Sequence, residues 1–287
     1  MKYIKIINNK ILEVSQNEDY DFIFEEVKLR SRNDAETIQH IETLQYLKSI
    51  VDANNKKLVI ICYGDLPPVI FPNDKNVIIY KNSIDFYTKP NNEFGLGCCV
   101  DDKFDGTYLD DNLISIGFVG HEMYNRKKYI DMFMRTSFKK NFIVRPWNFF
   151  DVCKKQKNEI YRKEFFDNLK DNMFTFCYRG RGNFSVRFYE TLMMGRIPIV
   201  IDSKITFPFP DKINMNFVSI FIDELELENH EILESKISEF INKNNLLEIQ
   251  KNNRKIYEEY FSPNTFKEKI LLDAYDKIKN STKFCLT

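Results

Sequence analysis

No stretch of this chain stays apolar for the roughly 20 residues that a membrane-spanning helix needs. The first ten residues, MKYIKIINNK, also lack a secretory hydrophobic segment. The sequence therefore predicts neither signal peptide nor membrane anchor. There is no excess of charge of either sign: 42 Lys and Arg stand against 42 Asp and Glu. No bulk field recruits nucleic acid or an anionic membrane, so neither is expected as a partner. The six cysteines (Cys62, Cys98, Cys99, Cys153, Cys177, Cys285) show no C-x-x-C spacing. That excludes a zinc-ribbon or disulfide framework and predicts reduced thiols in a cytosolic compartment. Cys285 is third from the end, so the C-a-a-X prenylation pattern fails. Histidine is scarce, with His40, His121 and His230 only, so a His-rich metal site is not expected. No G-K-[ST] follows a glycine-rich loop, which removes the Walker class. Disorder is excluded in turn by a hydrophobic content of 43%.

What is present is an alternation of apolar runs and helical patterns. Strands are predicted at 3–7, 21–25, 57–62, 77–80, 113–119, 142–144, 174–178, 197–201 and 218–222. Several are continuous apolar runs, as buried parallel strands are. Helical patterns fill about 34–53, 125–138, 157–170, 185–194, 230–242, 244–260 and 264–279. The expected class is α/β with parallel sheets. The stretch Asp101–Asn112, DDKFDGTYLDDN, is acidic and breaks the apolar periodicity. Lys103 falls on the third ligand position of a calcium loop, so a solvated linker is the better reading. Domains are accordingly expected at 1–105 and 106–287.

Only nine glycines serve 287 residues, yet three of them fall within FCYRGRGNFSVRFYETLMMGRIPIVID, residues 176–202. Four arginines share the stretch. The pattern places Arg179–Phe184 between the carboxyl end of a strand and the start of a helix, with Ser185 as N-cap and Gly195 as helix stop. Free N–H groups and the helix dipole favour an anion at such a junction. Arg179, Arg181 and Arg187, as planar forks, suit phosphate oxygens. A loop of this kind is expected to hold a phosphate, and a diphosphate best. Its spacing also approaches the dinucleotide fingerprint, with Ser185 in place of the third glycine and Asp202 at the distance of a ribose-binding acid. A tight turn with surface arginines and an Arg187–Glu190 helix pair is the plainer alternative.

These residues resemble the donor-site signature of exostosin-like glycosyltransferases, glycosyltransferase family 47. Phe176, Cys177, Arg179, Gly180, Ser185, Arg187, Phe188, Glu190, Gly195, Ile197, Pro198, Pro208 and Phe209 match in order. Upstream, ISIGFVGHEMYNRKKYI is similar to the family's F-x-G…R element through Gly120 and Arg126. Tyr178 stands where a proline is usual, and Thr191 where an alanine is. The resemblance covers roughly 113–224 and is weak before Asp101. It implies a GT-B-type architecture: two Rossmann-like domains face across a cleft, and a C-terminal helix (about 264–287) packs back on the first. It also implies an inverting transfer of a sugar from a UDP-sugar to a hydroxyl of a glycan or glycoconjugate, with no metal and no cofactor. The sugar is not readable from the residues, and xylose is taken first.

Within that frame Arg126, Arg179, Gly180, Ser185 and Arg187 are the expected diphosphate ligands. Glu190 is the expected ribose ligand, with Tyr178 beside the nucleoside. Gly120, Asp202 and Lys204 are candidates for the sugar pocket. The base is expected in the first domain, with Asp65 of CYGDLPP preferred over Asp85 and Glu93, and with His121 as a second catalytic candidate. Asp19-Tyr-Asp21 has the spacing of a D-x-D metal site but precedes a short strand, so a solvated turn is expected. Short relatives of this family in bacteria and large DNA viruses make the cytoplasm the implied compartment. Two other classes are kept: an NAD(P)-dependent oxidoreductase on a degenerate G-x-G-x-x-G loop, and an inactive nucleotide-sugar or glycan-binding module.

Overall fold

The computed structural model describes residues 1–29, 35–64, 69–84, 87, 89–110, 112, 114–146 and 155–283. Asp65, Asp85, Asp111, Cys153 and Cys285 lie outside the described residues. The chain opens with a hairpin, β1 (Lys2–Ile7) and β2 (Lys10–Val14). Its turn residues Asn8 and Asn9 both have positive φ, 51° and 60°. Paired left-handed residues match the twist of the strands they join, and asparagine tolerates that conformation. The sequence reading had no strand at 10–14, because β2 is half-exposed and its apolar positions are few.

After the hairpin come β3 (Phe22–Lys28), α1 (Ala35–Ala53), β4 (Lys57–Tyr63), β5 (Val77–Lys81) and the short β6 (Glu93–Gly95). The sheet order is β2-β1-β3-β4-β5-β6. β1 is antiparallel to both neighbours, and β3 through β6 are parallel. β4 is central, and Leu58–Cys62 are fully buried. Burial on both faces accounts for its unbroken apolar run.

The second sheet contains β7 (Ser115–His121), α2 (Arg126–Arg135), β8 (Lys139–Arg145), α3 (Lys155–Asp171), β9 (Phe174–Cys177), α4 (Val186–Met193), β10 (Ile197–Asp202), α5 (Met215–Val218) and β11 (Ile220–Asp223). All five strands are parallel, in the order β11-β10-β9-β7-β8. Val218, expected to begin the last strand, instead ends α5, whose start is capped by the Asn214 side chain accepting from Asn216 N–H. Then follow α6 (His230–Lys243), α7 (Leu246–Ile256), a π-helical turn at Tyr257–Phe261 and α8 (Phe266–Lys283).

α8 crosses back to the first sheet. Tyr80 Oη donates to Asp273 Oδ2 at 2.5 Å, and Lys267 pairs with Glu26 at 2.6 Å. Ile270 and Ala274 join one apolar core with Ile4, Phe24 and Val59 of the first sheet and Leu192 and Val200 of the second. Two α/β sheets with a returning last helix are the GT-B-type plan expected from the sequence. The first sheet departs from a purely parallel Rossmann half through its antiparallel hairpin edge. The acidic stretch 101–110 is exposed yet pinned. Asp102 receives both terminal nitrogens of Arg254 at 2.7 and 2.5 Å, and Leu109 exchanges two 2.9 Å bonds with the Gln250 amide. Among the described residues no helix is long and apolar enough to cross a membrane.

Candidate functional site

β7 lies between β8, reached through α2 on one side, and β9, reached through α3 on the other. The loops leaving the carboxyl ends of β7 and β9 therefore diverge and open a crevice, the place where open α/β sheets take their ligands. Gly120 and His121 end β7, while Tyr178–Ser185 connect β9 to α4. Residues nearly 60 positions apart in sequence meet here because the chain crosses the sheet between them.

The guanidinium groups of Arg126 and Arg187 lie near each other at the carboxyl end of β7, where the Arg179 carbonyl joins them. Arg126 opens α2 after two left-handed residues, Tyr124 and Asn125. Its Nη2 donates to the carbonyl of Arg179 at 3.1 Å, and its Nη1 lies 3.0 Å from His121 Nε2. Arg187, in the first turn of α4, donates from Nη2 to the Val119 carbonyl at 2.5 Å. Its guanidinium sits 4.4 Å above the Phe118 ring, within cation–π range. Gly120 makes room for it: an added Cβ would meet the Phe118 ring at 2.9 Å and Arg187 Nη2 at 3.0 Å. Arg126, Arg179 and Arg187 each carry a buried Nε with no hydrogen-bond partner, and no carboxylate pairs with any of them among the described residues.

Uncompensated cations in a low-dielectric site are costly. Burial, with Arg187 close by, pulls Arg126 down to about 9. Burial lowers Arg187 as well. An anion is the complement such a site lacks.

The loop itself closes through Gly180 N–H to Phe184 O at 3.2 Å. A Cβ on Gly180 would have Arg126 Nη2 at 3.9 Å, an ordinary contact, so crowding does not explain this glycine. Ser185 occupies the N-cap of α4 in extended conformation, but its side chain makes no capping bond, contrary to expectation. Only its carbonyl takes part, accepting from Phe188 N–H. Gly195 does end the helix: at φ +60° it donates to Leu192 O while Arg196 N–H reaches Thr191 O.

Other expected site residues are placed differently. Tyr178 is fully buried, and its hydroxyl and that of Tyr129 both donate to Glu224 Oε1 at 2.7 and 2.8 Å. It packs inside the sheet and offers no face to a nucleoside. Glu190 is buried and accepts from Arg162 Nη2 of α3 at 2.9 Å, so the anticipated Arg187–Glu190 helix pair gives way to a partner on another helix. His121 turns Nε2 towards Arg126, and Met123 N–H donates to its Nδ1 at 3.2 Å. Asp202 ends β10, accepts from Ile205 N–H at 2.9 Å, and has its carboxyl pushed up by burial. Lys204, left-handed at φ 63°, pairs with Asp223.

Of the base candidates, Asp65 and Asp85 fall outside the described residues. Glu93 is corrected: it is 2% exposed and ion-paired with the equally buried Lys81. Asp19 pairs with Lys5 and Lys56, and Asp21 accepts from Ile6 N–H, so the D-x-D spacing serves to hold the hairpin. Among the described residues no group of three or more His, Cys, Asp or Glu could hold a metal ion.

Two residues carried no sequence signal. Arg196, the fourth arginine of the stretch, is fully buried, and its guanidinium donates to carbonyls at the C-termini of α3 and α4: Lys170 at 2.7 Å and Met194 at 3.0 Å. It neutralises two helix ends and holds no ligand. Asn183, at the tip of the loop, bonds to both sheets: its N–H donates to Ser83 Oγ at 2.8 Å, and its amide accepts from Ser203 Oγ at 2.7 Å.

A family model described as the exostosin GT47 domain matches residues 120–236. Gly120, His121, Arg126, the arginine–glycine loop, Glu190, Asp202 and Lys204 all fall inside the matched stretch, whereas Asp65 and Ser83 precede it. The chain is 28% identical over 164 residues to the Exostosin-1 homolog of Caenorhabditis elegans, which covers 56% of this chain and 40% of that protein. Among solved structures it is similar to TarM, at 13% identity and a TM-score of 0.41, over 77% of this chain and 54% of that one. The chain thus spans about half, or less, of the length of these proteins.

Proposed function

We propose that this protein is a glycosyltransferase whose exostosin domain binds a UDP-sugar and passes the sugar to a hydroxyl of a glycan acceptor. The observation that carries the reading is that Arg126, Arg179 and Arg187, around the carboxyl ends of β7 and β9, each have an unpartnered buried Nε and no ion pair among the described residues. The diphosphate sits against these guanidinium groups and the first N–H groups of α4. The acceptor oxygen forms a bond to the anomeric carbon as the bond to the diphosphate oxygen breaks. UDP leaves on the opposite face, which inverts the anomeric centre, and the hydroxyl proton passes to a base, for which Asp65 is the candidate. Charge that grows on the departing diphosphate is met by fixed donors without a divalent ion, the setting in which preorganised electrostatics count most. Xylose is the first sugar to try.

The test is calorimetric titration of UDP into wild-type and Arg179→Ala protein, followed by UDP release from a panel of UDP-sugars with and without chelator. Wild type is expected to bind UDP and to keep its turnover in chelator. Arg179→Ala is expected to lose about 10²–10³ in rate, the usual cost of one preorganised donor. Wild-type turnover by Arg179→Ala overturns the assignment of the loop, and abolition of turnover by chelator overturns the metal-free step.

A further inference from the structure

The Arg179–Phe184 loop is anchored at two ends. At its base, Arg126 holds the Arg179 carbonyl, and Gly180 N–H bonds to Phe184 O. At its tip, Asn183 leaves its own sheet. Its backbone N–H donates to Ser83 Oγ at 2.8 Å, and its Nδ2 donates to the Ile84 carbonyl at 3.3 Å. Both partners follow β5, on the carboxyl edge of the first sheet. The remaining capacity of the same amide is used on the β10 side: Nδ2 to Lys204 O at 3.1 Å and Oδ1 from Ser203 Oγ at 2.7 Å. A carboxamide has two donor hydrogens and an acceptor oxygen, and all are engaged here. No other residue type of this length offers both two donors and an acceptor.

We infer that Asn183 is a positioning residue that couples occupation of the arginine site to the seating of the Ser83–Ile84 segment on the opposite sheet. The inference rests on the proposed diphosphate reading. An anion drawn to Arg126, Arg179 and Arg187 fixes the base of a loop six residues long. A fixed base leaves the tip less freedom and strengthens its bonds to Ser83 and Ile84. Coupling of this kind is reciprocal: whatever loosens the tip must weaken the anion by the same factor. The apolar core that both sheets share keeps them together, so the effect is local to the loop and its partner segment.

Ser83 is the residue to change, because it touches none of the three arginines and precedes the matched stretch 120–236. The Kd of UDP is measured for wild type, Ser83→Ala and Ser83→Thr, with residue-resolved amide exchange at Asn183 as the readout of the bond. Ser83→Ala is expected to speed Asn183 exchange and raise the UDP Kd about 5–10-fold, while Ser83→Thr, which keeps the hydroxyl, restores both. UDP is expected to slow Asn183 exchange in wild type and much less in Ser83→Ala. Faster Asn183 exchange in Ser83→Ala with an unchanged Kd overturns the coupling, and so does unchanged exchange. Should wild type bind inorganic pyrophosphate but not UDP, the nucleotide reading fails, and the same comparison made with pyrophosphate decides the coupling. Binding of neither probe overturns both.

Discussion

Arg187 spends its side chain on three things at once: a carbonyl at the end of β7, the face of Phe118, and an unpartnered Nε that no carboxylate answers. The first two place the third. Arg187→Met keeps much of the stem's packing but removes a buried charge that burial disfavours and no ion pair offsets. Ligand-free stability, read by chemical denaturation, is therefore expected not to fall. UDP affinity is expected to drop about 10–100-fold, the cost of one charge-assisted bond. A parallel loss of both quantities would show that Arg187 is structural. Gly120→Ala acts on the same guanidinium from the strand side. Its Cβ meets the Phe118 ring and Arg187 Nη2 at 2.9–3.0 Å, so the ring or the guanidinium must give way. It is expected to weaken UDP binding with only about 1–3 kcal/mol lost from the fold, as for other overpacked sites. Both losses are read from titration and denaturation of the same sample.

At the scale of elements, the stretch between the sheets is held by charge. Asp102 sits in the fork of Arg254 on α7, and that guanidinium holds its carboxyl below the ordinary value. A carboxyl with a depressed folded pKa adds stability that is complete above its unfolded pKa of about 4 and disappears as pH falls through the lower folded value. Asp102→Asn is expected to be less stable than wild type at pH 6, by less than about 1 kcal/mol because the side chain is half-exposed. That difference should shrink in denaturant titrations as pH is taken below about 4. The composition of the stretch predicted exposure correctly, but its anchoring on a helix 150 residues later had no local trace. The same limit shows in Glu190. Spacing along α4 offers Arg187 as partner one turn away, whereas packing of α3 over α4 supplies Arg162. Helix and strand positions themselves were readable, since each rests on apolar periodicity; β2 and β6 escaped because short or half-exposed strands bury too little to leave a pattern.

For the whole molecule, the buried Lys81–Glu93 pair ties β5 to β6 just before the Asn82–Ile84 segment that meets the second sheet. Both side chains are only 2% exposed, so removing the carboxylate takes a buried ion pair from Lys81. Glu93→Leu is expected to cost about 3–5 kcal/mol of stability, measured by urea denaturation. A loss under about 1 kcal/mol would mean that Lys81 finds water or another acceptor.

The order of local signals was enough to specify two things: an α/β chain, and the strand–helix junction that holds Gly180, Ser185 and Arg187. Those features depend on neighbours within one or two turns, and the sequence states such neighbours directly. Which arginine serves which purpose was settled by the folded chain alone. Arg196 and Arg187 lie nine residues apart with the same guanidinium, yet one donates to carbonyls at the ends of α3 and α4 and the other to the end of β7, over the Phe118 ring. Their environments come from β7, α2, α3 and the 101–110 stretch, brought in by strand crossings. No pattern along a single chain encodes which distant backbone oxygens a cation will find.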